Sequence, residues 1–288
     1  MTTKPAIKTV RTVADLRAVV AAWRDERLSV GLIPTMGALH EGHLALARTA
    51  KAQCDRAVAS IFVNPTQFGP SEDLDRYPRR EEEDAAALAA LGVELIFAPS
   101  VEEMYPEGFV TTVSLTGLAE RLEGAHRPGH FAGVTTVVSK LLIQAGADCA
   151  YFGEKDYQQL RVVTRMARDL DIATTIVGVP TVREPDGLAL SSRNEYLSPE
   201  QRAVAPALNR ALVETAAAVA AGGEAGKAAS DAEAALIAAG FDAVDYVAVA
   251  DAETLEPIET MAGRPARVLA AAFLGKTRLI DNVPVKTT

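Results

Sequence analysis

The sequence predicts an α/β fold, a parallel sheet covered on both faces by helices, followed by a smaller α+β domain. Short apolar runs alternate with helical patterns through the first two thirds of the chain, the signature of strands buried on both faces. Pro180 and Pro185 then bracket a short polar stretch, and beyond it the texture changes to alanine-rich helices and extended segments. Apolar residues make up 49% of the 288 and charged residues 23%, the balance of a globular protein.

In order, Leu28–Pro34 reads as a buried strand, His43–Ala52 as a helix and Ala57–Val63 as a second strand. Glu81–Leu91 reads as a helix, acidic at its start, and Val93–Ala98 as a third strand. Phe131–Ala145 is expected to be a helix, Cys149–Phe152 a short strand, Gln158–Leu170 a helix and Ile172–Val179 a strand. Together they make a Rossmann-like domain over 1–181. In 182–288, Ser198–Ala221 and Gly226–Ala239 are expected to be helices. Ala243–Ala250, Arg267–Phe273 and Thr277–Asn282 are expected to be extended. Parallel sheets bind ligands beyond the carboxyl ends of their strands, so chemistry is expected after Ile33, Val63, Phe152 and Val179.

The net charge of −9 disfavours nucleic acid, whose binding requires a basic surface to displace counterions. No run approaches the ~18 apolar residues of a membrane span. Met1–Val10 carries Lys4 and Lys8 with no apolar core behind them, unlike a secretory leader. A cytoplasmic protein with Cys54 and Cys149 as buried, reduced thiols is the expectation.

The strongest local signal is Pro34-Thr-Met-Gly-Ala-Leu-His-Glu-Gly-His43, where a strand gives way to a helix. His40 and His43 share a helical face. The unpaired N–H groups of a first helical turn carry partial positive charge, so two imidazoles there suit a phosphate. A zinc site needs more ligands. The remaining histidines, His126 and His130, are expected in a distant loop, and no protein ligand set for a metal is read. Three weaker signals accompany this one. Phe152-Gly-Glu-Lys-Asp156 offers Lys155 to phosphate oxygens, with Asp156 placed to accept from ribose or orient the lysine. Leu190-Ser-Ser-Arg193 combines two hydroxyls with a guanidinium. Phe62-Val-Asn-Pro-Thr-Gln67 ends the second strand, and Gln67 carries a donor and an acceptor on one side chain.

With these segments in view, the chain resembles the pantothenate synthetase family, the pantoate–β-alanine ligases, along almost its whole length. The matching stretches are PTMGALHEGH (34–43), FVNPTQFGPSEDLDRYPR (62–79), RPGHFAGV (127–134), FGEKDYQQL (152–160), VPTVREPDGLALSSRN (179–194) and LIDN (279–282). The family is similar to other nucleotidylyl-transfer enzymes with a His-x-Gly-His motif, class I aminoacyl-tRNA synthetases among them. The resemblance implies ATP-dependent condensation of pantoate with β-alanine through a pantoyl adenylate, releasing AMP and pyrophosphate. It implies that Pro34, Thr35, Met36, Gly37, Ala38, Leu39, His40, Glu41, Gly42 and His43 lie along ATP, with His43 as general acid. Gly153, Glu154, Lys155 and Asp156 would hold adenosine and phosphates, and Val182, Leu190, Ser191, Ser192 and Arg193 would complete the nucleotide site. His40, His43, Lys155, Ser191, Ser192 and Arg193 are the expected catalytic set, and Gln67 and Gln159 would bind pantoate, Gln67 near β-alanine. Mg²⁺ and a homodimer are implied too.

Two positions depart from the family pattern. Leu190 stands where methionine is common, a swap that conserves volume. Ala87 stands where relatives often carry glutamine on the acidic helix, so Glu81-Glu-Glu-Asp84 reads as acids stabilising a helix N-terminus. Gly69–Tyr77, polar and opened by Gly-Pro, is expected to close over the intermediate.

Overall fold

Short runs rich in Val, Ile and Ala fit a pleated surface buried on both sides, and the predicted strands form. In chain order the elements are β1 (Lys8–Val10), α1 (Val13–Asp25), β2 (Val30–Thr35), α2 (Glu41–Gln53), β3 (Arg56–Ile61), α3 (Glu81–Ala90), β4 (Leu95–Phe97), α4 (Val101–Met104), α5 (Glu123–His126), α6 (His130–Ala145) and β5 (Cys149–Gly153). There follow α7 (Tyr157–Asp169), β6 (Thr175–Val179), α8 (Pro199–Val204), α9 (Ala207–Ala220), α10 (Ala225–Ala239), β7 (Ala243–Asp251), β8 (Ala266–Leu274) and β9 (Thr277–Val285). The computed structural model describes residues 7–69, 74–261 and 263–286. Residues 70–73 of the expected closing loop therefore lie outside the described residues. The chain divides into two compact units, one of residues 1–115, 127–154 and 162–180, the other of 116–126, 155–161 and 181–288.

The first unit holds a six-stranded parallel sheet in the order β1-β4-β3-β2-β5-β6. Chain order runs outward from β2 through β3 to β4 on one side, and through β5 to β6 on the other. The reversal lies between β2 and β5, where Gly31 faces Cys149 and Leu32 faces Ala150. Ligands of doubly wound sheets bind at such a switch point. On one face, Ala47 and Ala50 of α2 pack against Ile33, Ala57, Ala59 and Ile96. Their small side chains let helix and sheet approach closely, which fixes the start of α2 over the ends of β2 and β3.

The second unit is an antiparallel meander, β7-β8-β9, with α9 and α10 packed on it. Ala266, Val268, Ala270, Ala272 and Leu274 of β8 alternate toward Leu208, Leu212, Val219 and Leu236, the period of two expected of a strand facing a core. No helix among the described residues is long and apolar enough to cross a membrane.

Three expectations need correction. β1 and α1 lie outside the predicted elements, although Thr12 caps α1 by accepting from the Asp15 amide and Leu16 and Val20 share its buried face. The helix expected over Ser198–Ala221 is two helices. Pro206 has no N–H and its ring collides with the preceding turn, so one helix ends and another starts there. Cys54 is buried but Cys149 is only half-buried. Both are free thiols, and burial pushes the Cys54 thiol up, away from the reactive thiolate.

Candidate active site

The loop after β2 is built around backbone that ordinary residues avoid. Gly37 and Ala38 lie consecutively in the left-handed region, at φ of 83° and 51°, the second an uncommon setting for a residue with a Cβ. Thr35 secures the strand end. Its hydroxyl donates to the Ser60 carbonyl of β3 at 2.7 Å and accepts from the Gly37 amide at 3.2 Å.

A carboxylate holds the loop from the other side. Asp84, in the first turn of α3, is buried, and its two oxygens accept from the amides of Ala38 at 2.9 Å and Leu39 at 2.8 Å. Burial pushes its carboxyl above the usual carboxylate range, while the Leu39 and Ala38 amides pull the other way. The acidic helix start thus does more than stabilise α3: one of its four acids shapes the histidine loop. Spacing could not show this, because Glu81, Glu82 and Glu83 are exposed and only Asp84 turns inward.

His40 caps α2, its Nδ1 accepting from the Gly42 amide at 3.1 Å. His43 reaches back, its Nδ1 accepting from the His40 amide at 3.3 Å. This is a capping box made of two imidazoles. Because each Nδ1 accepts, each neutral ring carries its proton on Nε2. The rings lie 4.1 Å apart between centroids, tilted by 39°. A Cβ on Gly42 would come within 2.9 Å of the His40 ring, so this glycine makes room for the imidazole.

At the end of β3, Asn64 organises the next segment. It is buried, and its Oδ1 accepts from the Tyr105 hydroxyl at 2.8 Å and the Thr66 hydroxyl at 3.0 Å. Its Nδ2 donates to Gln67 Oε1 at 3.0 Å and to the Gly133 carbonyl at 3.2 Å. Gln67 Nε2 in turn donates to the Met36 sulfur at 3.3 Å, so the structure brings Gln67 onto the histidine loop. His130 is not in a distant loop. It begins α6, and its Nδ1 lies 2.8 Å from the Gln67 carbonyl. Phe62 packs tilted against Tyr105, and Phe68 packs edge-on against Tyr77.

Gly153 ends β5, the strand beside β2, and Glu154 opens the turn that follows, so the first unit gathers Pro34–His43, Gln67, Gly153 and Glu154 at the carboxyl end of its strands. The other expected site residues belong to the second unit. There Lys155 Nζ lies 3.9 Å from Asp156 Oδ1, and Asn282 donates from Nδ2 to the Lys155 carbonyl at 2.8 Å. Gln159 is half-buried in the first turn of α7. The Leu190 amide donates to the Val182 carbonyl at 3.0 Å. This hairpin is fixed by Arg183, which makes a two-pronged ion pair with Asp281 at 2.7 and 2.9 Å. Ser191 caps the following turn by accepting from the Arg193 amide at 3.3 Å, with Ser192 and Arg193 its first residues. The LIDN stretch therefore has a structural account: Asp281 holds Arg183, and Asn282 holds Lys155.

Among the described residues no three His, Cys, Asp or Glu side chains are grouped to hold a metal, and both Asp84 oxygens are engaged by amides.

The sequence model of the pantoate–β-alanine ligase family matches residues 8–284. The pantothenate synthetase of Paramagnetospirillum magneticum is 62% identical over 281 residues, covering 98% of this chain and 99% of that protein. The crystal structure of pantothenate synthetase from Thermus thermophilus superposes with a TM-score of 0.90 at 53% identity, covering 97% of this chain and 99% of that one. The pantoate–β-alanine ligase of Francisella tularensis, complexed with βγ-ATP and β-alanine, superposes with a TM-score of 0.83 at 32% identity over 98% of this chain and 99% of its own. A switch-point loop carrying a two-histidine capping box, within a fold and sequence matched from end to end, places this chain in the pantoate–β-alanine ligase family.

Proposed function

We propose that the chain condenses pantoate with β-alanine to pantothenate at the expense of ATP, by way of a pantoyl adenylate, with release of AMP and pyrophosphate. The two-imidazole capping box carries this reading: it fixes a pair of imidazoles by their Nδ1 atoms at the N-terminus of α2, where partial positive charge already favours a phosphate. The bound ATP and β-alanine of the Francisella relative support it.

Pantoate's carboxylate attacks the α-phosphorus, pyrophosphate leaves, and the β-alanine amine then displaces AMP from the acyl carbon. Neither step needs a protein nucleophile, so positioning and charge neutralisation are the protein's share. His40 and His43 would donate to phosphate oxygens. Lys155, Ser191, Ser192 and Arg193 would neutralise charge that develops as pyrophosphate departs. Pro34–Leu39, Glu41, Gly42, Gly153, Glu154, Asp156, Val182 and Leu190 would line the nucleotide. Gln67 and Gln159 would bind pantoate. Mg²⁺ is expected to ride mainly on the triphosphate and water, as this ion commonly does. The domain division near residue 181, with the C-terminal part as a lid, the homodimer and the cytoplasmic setting belong to the same reading.

Mixing the protein with ATP, Mg²⁺, pantoate and β-alanine, and omitting each substrate in turn, tests it. AMP, pyrophosphate and an amide should appear together only in the complete mixture. Formation of ADP, or a stable adenylylated acceptor without an amide, would overturn it.

A further inference from the structure

The Gln67 segment is seated on a notch in α6, and two residues with no assigned role make the seat. Gly133 faces the turn Pro65–Gln67 at contact distance: a Cβ there would lie 2.3 Å from the Thr66 carbonyl oxygen and 2.7 Å from the Gln67 amide nitrogen. Both are backbone atoms, so neither can swing aside. One turn earlier on the same helix, His130 Nδ1 lies 2.8 Å from the Gln67 carbonyl. A carbonyl only accepts, so Nδ1 donates. Nε2 is then the acceptor, and it faces Arg127 Nη1 at 3.1 Å, a guanidinium that can only donate. The two bonds agree on one tautomer. The seat is completed by the Gly133 carbonyl, which accepts from Asn64, the residue that also grips the Gln67 side chain.

We infer that His130 and Gly133 are positioning residues for Gln67. They fix its peptide plane so that its amide faces Met36 and the histidine loop, and thereby set the affinity for pantoate. This rests on the reading that Gln67 binds pantoate. A displacement of about 1 Å in a binding group costs as much as losing much of its contact, so a notch that holds the backbone has leverage on the site without touching substrate.

The test measures pantoate and ATP dissociation constants by calorimetry for Gln67→Ala, His130→Ala, His130→Asn, Gly133→Ala and the double variant His130→Ala/Gln67→Ala. Melting curves establish folding. His130→Ala and Gly133→Ala should each weaken pantoate roughly tenfold, with ATP affinity nearly unchanged. Asn can place an N–H where Nδ1 stood, so His130→Asn should recover most of the loss. The double variant should be no weaker than Gln67→Ala alone, because both act through one side chain. If Gln67→Ala weakens pantoate while His130→Ala does not, or if the two losses multiply, the positioning role is wrong. If Gln67→Ala itself leaves pantoate affinity intact, the reading of Gln67 fails first and this inference falls with it. The His130 variants decide the matter even if Gly133→Ala does not fold.

Discussion

Asp84 accepts the amide hydrogen of Ala38 at 2.9 Å, from a helix 46 residues further along the chain. Its second oxygen takes the Leu39 amide. The carboxylate thereby stabilises two residues of a loop whose backbone is partly left-handed. Asp84→Ala should lower turnover by roughly 10–100-fold, the scale of losing buried hydrogen bonds to a charged group. Asp84→Asn keeps one acceptor and should fall between. Turnover and thermal melting of both variants check this; a folded Asp84→Ala protein with native turnover would show that the loop holds itself.

The same carboxylate has a pH signature. Burial raises its pKa above the unfolded value, with the Leu39 and Ala38 amides opposing. A carboxyl that binds its proton more tightly when folded contributes most to stability below the unfolded pKa, about 3.9. That contribution is lost as pH rises through the folded value. The stability of the wild-type protein relative to Asp84→Asn should therefore decline as pH rises from about 3 toward 7. Urea unfolding at a series of pH values measures the difference, and a difference that grows with pH would reverse the sign assigned here.

The strands β2 to β6 were legible because each is a short apolar run between helical patterns, and the site loops because they follow those runs; β1, Lys8-Thr-Val10, has no such run. What escaped was long-range. Thr12 ahead of Leu16 and Val20 did carry a helix-start signal for α1. The inward turn of Asp84 and the contact of His130 with Gln67 had none, since each depends on how elements dozens of residues apart are packed. Pro206 was readable: a proline nine residues into an alanine-rich stretch should end a helix, and alanine's high propensity on both sides obscured it.

His43 tests the donor role directly. Replacing it with alanine removes both an Nε2–H and a cap on the His40 amide, and turnover should fall by roughly 10²–10³ while the fold survives. The tautomer adds a sharper expectation. Glutamine can extend an N–H to where Nε2 stood, whereas asparagine is one methylene shorter. His43→Gln should retain more turnover than His43→Asn. Equal loss in the two would mean that the outer ring nitrogen is not the group that matters.

Lys155 is held by its backbone as well as by its charge. Asn282 is buried within the second unit's last strand, where its Oδ1 accepts from Arg267 Nε at 2.6 Å while its Nδ2 donates to the Lys155 carbonyl at 2.8 Å. Arg267 also lies over the Tyr157 ring, 3.8 Å from its centroid, so the amide sits in a braced position and cannot drift. Lys155→Ala should reduce turnover by roughly 10²–10³. Asn282→Asp keeps an acceptor facing Arg267 but replaces the donor facing the Lys155 carbonyl with an oxygen that repels it, so it breaks the second bond. It should lower turnover by roughly tenfold, the scale of one buried hydrogen bond. Because this loss acts through the lysine, the double variant Asn282→Asp/Lys155→Ala should be no slower than Lys155→Ala alone. Steady-state turnover of the three variants settles it: multiplicative losses would mean that Asn282 serves the stability of the second unit and has no part in placing Lys155.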